Sequence, residues 1–251
     1  MKKNTIIYII IVILLCALTG SITYIVATTN NKTETKEEKR LTISEEELKE
    51  YLKYIPKDIM NENQNMYINP QNSDELSIGT LLGATLNYAD NYTNLRQETE
   101  YGDTFLFSKN EINNLMSKIY NKKPASFKNE IEYNCVFYSE YDNNYYLQSG
   151  GCGTNIEHIS SIKSYTATED ELIIHEYAAY YDILENQLID YYTKKETNLG
   201  GWRGNTTYEE KIAVLKNYLY DHQNEFTLYK HTFKKNDTGY YWYSTELASE
   251  E

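Results

Sequence analysis

The spacing of hydrophobic positions changes three times along the chain, and each change predicts a different kind of element. Residues 5–29, TIIYIIIVILLCALTGSITYIVATT, form one apolar run with no charged residue between Lys3 and Lys32. A hydrocarbon core takes about 20 apolar residues to span, so the run predicts a transmembrane anchor over residues 5–28 behind a short cytoplasmic tip. A cleaved signal peptide has a shorter apolar region ending at small residues. Here Ile22, Tyr24, Ile25 and Val26 continue past the small triplet Thr19-Gly20-Ser21, which favours an uncleaved segment. Leu15 stands where a lipobox needs a small residue, so Cys16 reads as a small membrane-buried hydrophobe.

Residues 29–43 carry no apolar periodicity and read as a polar linker. Helical spacing follows. Ser44 with Glu47, Ser108 with Glu111 and Thr207 with Glu210 each have the form of a capping box, in which hydroxyl and carboxylate satisfy each other's orphan amides. Behind them Leu48, Tyr51, Leu52 and Ile55, then Ile112, Leu115, Met116 and Ile119, then Tyr208, Ile212, Leu215 and Leu219 each line one helical face. A fourth helix is expected from about Asp74 to Tyr88, with Gly79 and Gly83 marking a close contact.

Elsewhere the period is two. Ile131, Tyr133, Cys135 and Phe137 alternate with polar residues and lead to the turn Asp142-Asn143-Asn144-Tyr145. Ile156–Ala167 and Glu171–Ile183 form an expected strand pair joined by Thr168-Glu169-Asp170, and Leu188–Thr193 a further strand. The chain closes with a hairpin over Thr227–Lys234 and Tyr240–Thr245. There is no βαβ rhythm, so the expectation is an α+β domain over residues 44–251. About four helices, gathered on one face, pack on a mixed, mainly antiparallel curved sheet.

The closing hairpin LYKHTFKKNDTGYYWYSTE resembles the C-terminal hairpin of uncharacterised membrane-anchored or lipid-anchored exported proteins of low-GC bacteria. The likeness covers that hairpin and the general layout. It implies an extracytoplasmic location and carries no activity. The layout is also similar to cystatin-like and nuclear-transport-factor-like curved sheets, an analogy of fold alone.

Charge sharpens the location. Lys2 and Lys3 precede the apolar run, the usual export layout, while Lys32, Lys36, Lys39 and Arg40 follow it and count the other way under the positive-inside rule. The bulk of the chain is taken as extracytoplasmic. Residues 32–251 hold 22 basic and 37 acidic side chains, a net −15 that repels nucleic acid and anionic surfaces. The 27 tyrosines, with abundant Asn, Lys and Ile, fit an A/T-rich coding bias better than a dedicated sugar-binding or peptide-binding platform.

Candidate chemistry is sparse. A turn centred on Asn143-Asn144 sets Cys135 opposite Cys152, close enough for a disulfide worth about 3 kcal/mol in the chain-entropy model. A one-residue slip would put the two thiols on opposite faces. The competing reading makes Cys152 a nucleophile with His158 or His175 as base, but Gly153-Thr154 opens no convincing helix to activate it. Four histidines without an H-E-x-x-H or C-x-x-C pair predict no metal site, and no dinucleotide or Walker fingerprint predicts a cofactor. Glu176 and Asp182 share a strand face and are the nominees for a glycosidase-like pair. The loop Asn198–Asn205 pairs flexible glycines with Trp202 and Arg203, an anchor pair for a partner or a tryptophan that tucks inward.

These readings predict a membrane-anchored extracytoplasmic binding or interaction domain, non-enzymatic, with a protein or cell-wall partner and no nucleic acid. The alternatives are an envelope hydrolase using Cys152 or the acidic pair, and an accessory subunit of a membrane complex.

Overall fold

A computed structural model of the chain describes residues 40–57, 65–100, 102, 104–123, 136–139, 141–148, 156–202 and 206–249. The expected anchor, and with it the cytoplasmic tip and most of the linker, lies outside the described residues. Among the described residues no helix is long and apolar enough to cross a membrane. Of the expected linker, residues 40–43 are described, and they pack on the domain. The Leu41 amide donates to Ala167 O at 2.8 Å, and Ile43 is buried.

Among the described residues the domain is α+β, with four α-helices and antiparallel sheets. Helix α1 is Glu45–Leu52. Ser44 Oγ accepts the Glu47 amide at 3.2 Å, and Leu48 and Leu52 are buried. Helix α2 is Ile78–Tyr92, starting four residues later than its apolar spacing suggests. The cause is local: Asn72 Oδ1 accepts the Asp74 and Glu75 amides, holding that stretch in a turn, and Ser77 becomes the cap. Gly79 and Gly83 are both buried in this helix. Helix α3 is Lys109–Tyr120, and here the expected capping box is absent. Ser108 is the last residue of a strand and pairs with Asn144, so the chain passes from strand to helix without a capping hydroxyl. Helix α4 is Tyr208–Asp221, with the box complete: Thr207 Oγ1 accepts the Glu210 amide, and Glu210 Oε2 accepts the Thr207 amide.

The first sheet comprises β1 (Gln97–Glu98), β2 (Thr104–Ser108), β3 (Val136–Ser139) and β4 (Asn144–Gln148) in the order β1-β2-β4-β3. Its β3–β4 hairpin corrects the expected register. Ser139 pairs with Asn144 and Val136 with Leu147, so the loop holds four residues rather than two. Asn143 takes the left-handed conformation at φ 58°, and its side chain accepts the Tyr138 hydroxyl at 2.8 Å. The register that set position 135 opposite 152 is therefore not the one these strands adopt. Cys135 and Cys152 themselves lie outside the described residues.

The second sheet holds β5 (Ile156–Ala167), β6 (Glu171–Asp182), β7 (Gln187–Asp190), β8 (Glu196–Asn198), β9 (Leu228–Asn236) and β10 (Gly239–Leu247). Every ladder described is antiparallel, consistent with the expected mainly antiparallel sheet. Strand β6 organises this sheet. One edge pairs with β5 along its whole length; the other is shared end to end, β9 taking Glu171–Tyr177 and β7 taking Ala179–Asp182.

Because strand side chains alternate, β6 has two core faces. Ile174 and Ala178, with Phe233 and Trp242 opposite their neighbours, join the core made with α1, α2 and α3. Tyr177, Ala179 and Tyr181 form a second core with Leu215 and Leu219 of α4. The helices thus cover both faces of this sheet, not one. The reason lies in β6 itself: from Glu176 to Ala179 every residue is buried, so neither face is left for solvent.

Candidate functional site

The inward-facing row of β6 buries one acid. Glu176 follows Ile174 and precedes Ala178, so the pleat carries its carboxylate into the larger core, where it is fully buried. His231 of β9 and Tyr67 of the loop before α2 meet it there. Glu176 Oε1 accepts the Tyr67 hydroxyl and lies 3.1 Å from His231 Nε2. The imidazole nitrogen is close, but its geometry falls short of a hydrogen bond. On the far side of the ring, His231 Nδ1 lies 2.9 Å from Thr245 Oγ1, which also accepts Trp242 Nε1–H at 3.2 Å. Tryptophan only donates, so Thr245 Oγ1 is the acceptor in that bond, and the threonine hydroxyl links the indole to the imidazole.

The cluster widens through aromatic contacts. The Tyr67 ring stacks on Tyr191 at 5.1 Å between centroids and lies 4.9 Å from His158, whose Nδ1 is 3.1 Å from the Tyr191 hydroxyl. Tyr229 OH donates to Tyr67 O at 2.7 Å. Burial alone would push the Glu176 carboxyl up. The contacts with His231, His158 and the Tyr67 hydroxyl outweigh it and hold the group down to about 2. Burial lowers His158 to about 3, helped by the charge of Lys57, so that ring is neutral at pH 7. Burial and the adjacent Glu176 charge drive the Tyr67 phenol far up. Glu176 Oε2 and Asn65 Nδ2 are buried without a hydrogen-bond partner among the described residues.

Carboxylate, imidazole and phenol together are the usual equipment of acid–base catalysis. Here their bonds run to one another and to the loop. Tyr67 N donates to Asn65 Oδ1 at 2.9 Å, Met66 N to Pro56 O at 3.0 Å, and the Tyr67 hydroxyl to Glu176. The arrangement pins residues 65–68 onto the sheet.

The sequence nominees fall elsewhere. Asp182 closes the turn after β6, accepting the Leu184 and Glu185 amides at 2.9 and 3.1 Å. Six residues along a strand separate it from Glu176 by about 20 Å. A glycosidase pair needs about 5–9.5 Å, so the two acids do not converge. His175 sits near the surface with Ser164 Oγ at 3.5 Å, on the face opposite Glu176. Among the described residues no three metal-ligating side chains of the His, Cys, Asp and Glu set come together.

Trp202 is half-buried against the second core. Its indole Nε1 donates to Tyr181 OH at 2.9 Å and to Asn186 Oδ1, which also accepts the Tyr181 hydroxyl. Asn186 Nδ2 reaches Gly200 O, and Gly200 turns the backbone at φ 76° to present that carbonyl. Arg203 lies outside the described residues. The loop therefore braces the β6–β7 turn, and this turn carries two of the open apolar side chains: Ile183 is 42% and Leu184 73% exposed.

Two features are not evident from the sequence pattern alone: the burial of Tyr67 and the pairing of Glu176 with His231. Tyr67 lies in a stretch with no periodicity, so nothing marked it as a core residue. Glu176 and His231 did carry a signal: each occupies an inward position of an otherwise apolar strand row, and two such intruders on neighbouring strands need each other. No family model matches the chain, and neither a curated protein nor a solved structure matches it.

Proposed function

We propose that this chain is a membrane-anchored, extracytoplasmic interaction domain, held by residues 5–28, that binds a protein partner through the β6–β7 turn and the loop 198–202 beside it. One observation carries the reading: Leu184 stands 73% exposed on a turn braced from both sides. Asp182 caps it from within, and Asn186, Gly200 and Trp202 hold its flank. An apolar anchor that is already ordered loses little entropy on binding, which is what a contact hot spot requires. The acidic surface suits an extracytoplasmic domain that avoids polyanions. An accessory subunit of a membrane complex would use the same turn. The hydrolase alternative is not favoured, because its acidic pair is split along β6.

The test is site-specific photocrosslinking in intact cells, with a benzophenone residue at exposed Glu185, in wild type and in a Leu184→Asp background. The expected outcome is a discrete adduct that Leu184→Asp removes. An adduct unchanged by Leu184→Asp, or none, would overturn the contact. Location is read separately: a membrane-impermeant maleimide on intact cells should label Leu184→Cys above the wild-type level. Labelling only after lysis would reverse the topology.

A further inference from the structure

We propose that Lys57 and Asn65 are joined by an isopeptide bond, formed within the folded chain when the lysine amine displaces ammonia from the asparagine carboxamide. The proposal does not rest on the Leu184 contact.

The backbone brings the two side chains together. Lys57 and Asn65 form an antiparallel bridge between the chain that follows α1 and the loop before α2. Met66 N donates to Pro56 O at 3.0 Å, one residue outside that pair. The bridge is therefore of the non-hydrogen-bonded kind. Opposed Cα atoms in such a pair stand about 4.5 Å apart, and both side chains rise on one face. The flexible lysine stem is long enough to cross that gap to the neighbouring carboxamide.

The surroundings suit the reaction at each partner. Asn65 is fully buried, and its Oδ1 accepts the Tyr67 amide at 2.9 Å. That bond draws charge from the carbonyl carbon and is placed to stabilise an oxyanion there. Asn65 Nδ2 is buried without a hydrogen-bond partner among the described residues. A buried amide donor left unpaired is costly, and here it belongs to the group that departs. Lys57 is half-buried, and its charge acts on Glu176 and on His158, so the amine faces the cluster gathered round Tyr67. Burial lowers the Lys57 amine below its ordinary range against the opposing pull of Glu176 and Glu157, which favours the neutral, nucleophilic form. Tyr67 joins the electrophile to an acid: its amide holds Asn65 and its hydroxyl donates to Glu176, whose Oε2 is bare among the described residues.

The step balances without an oxidant or a reductant. Neutral Lys57 Nζ attacks Asn65 Cγ, and the Nζ–Cγ bond forms. Glu176 takes one amine proton and returns it to Nδ2. The Cγ–Nδ2 bond then breaks, ammonia leaves, and the second amine proton stays on the new secondary amide. The product closes a covalent ring at the base of the loop that Tyr67 pins to the sheet, and it removes the unpaired donor.

The test is the intact mass of the full chain purified in detergent, followed by digestion with a glutamate-specific protease. The wild-type chain should weigh one ammonia less than its sequence. Glu62 lies between the two residues in the sequence, and cleavage there should leave the Lys57 and Asn65 peptides joined. The joined peptide is read in the wild type, so it does not depend on any variant folding. Lys57→Met and Asn65→Ala should each show their sequence mass and give separate peptides. Glu176→Gln should slow the linkage at least about a hundredfold, leaving freshly made chain mostly unlinked. A wild-type chain at its sequence mass would overturn the proposal. So would an ammonia loss that leaves the two peptides separate, the mark of a succinimide at asparagine. A Glu176→Gln chain that links as fast as wild type would overturn the step as written.

Discussion

Two carboxylates are fully buried among the described residues of this domain, and they are treated in opposite ways. Asp190, at the end of β7, accepts five hydrogen bonds: from Tyr192 N, Thr193 N, Thr193 Oγ1, Thr227 N and Thr227 Oγ1. Glu176, in the middle of β6, has one oxygen shared between a phenol and an imidazole, and the other bare. The difference follows from position. Asp190 sits where β7 and β9 divide the edge of β6, and the backbone amides left unpaired at that handover need an acceptor. Glu176 lies within a continuous ladder whose amides are already paired, so only side chains can reach it. A buried acid at a break in pairing acts as a backbone clamp. A buried acid within a ladder must recruit partners from neighbouring elements, and its partners here tie the loop 65–68 to the sheet.

The comparison is broken most severely at the clamp. Asp190→Ala strands part-buried amide and hydroxyl donors on two segments at once and should cost about 3 kcal/mol in urea unfolding. Next comes the pair in the ladder. His231→Gln leaves Glu176 charged with Tyr67 alone and should cost about 3 kcal/mol, and adding Glu176→Gln should recover at least about half of it. That recovery distinguishes an unpaired charge from simple loss of packing.

The pH dependence separates the groups further. The folded-state values of His158 and Glu176 both lie below their ordinary ones, so over each window the unfolded chain binds more protons and stability rises with pH. The His158 contribution is full above its ordinary 6.5 and falls away toward about 3. The Glu176 contribution is full above its ordinary 4.5 and falls away toward about 2. Unfolding midpoints followed from pH 7 to pH 3 should decline in wild type. His158→Gln should flatten the decline above pH 4.5, and Glu176→Gln should flatten it below.

Smaller effects belong to the second core. Trp202→Phe keeps the ring in place and removes its donations to Tyr181 and Asn186. A cost of about 1 kcal/mol in the same unfolding measurement is expected. Leu184→Asp should leave stability within about 0.5 kcal/mol, because the side chain is mostly in water.

How much of this was legible in the sequence depends on how local the cause was. The β5–β6 pair was readable nearly to the residue, since two long period-two runs flank a polar turn. The final hairpin was readable for the same reason. The start of α2 was not, because the Asn72 side chain competes with the apolar spacing and wins. The β3–β4 register was missed because an Asn pair suits a two-residue turn, whereas Asn143 serves as the left-handed residue of a four-residue loop. Both-face coverage by helices was written in the unbroken burial of β6, but Glu176 disguised that run as an alternating one. The clamp at Asp190 depends on how two strands share a third, and no local pattern encodes that. Trp202 was legible as an inward-tucking ring; the exposure of Leu184 beside it was not.

The buried acid–base cluster ties the loop 65–68 to the sheet, whereas the contact proposed above lies at the β6–β7 turn. The most direct test is the crosslink at residue 185 in the Glu176→Gln/His231→Gln variant, which lacks both titratable partners and keeps the turn. The account predicts the wild-type adduct at wild-type yield, with a cooperative unfolding transition still present. A folded variant that loses the adduct would contradict it, placing the cluster in the function rather than beneath it.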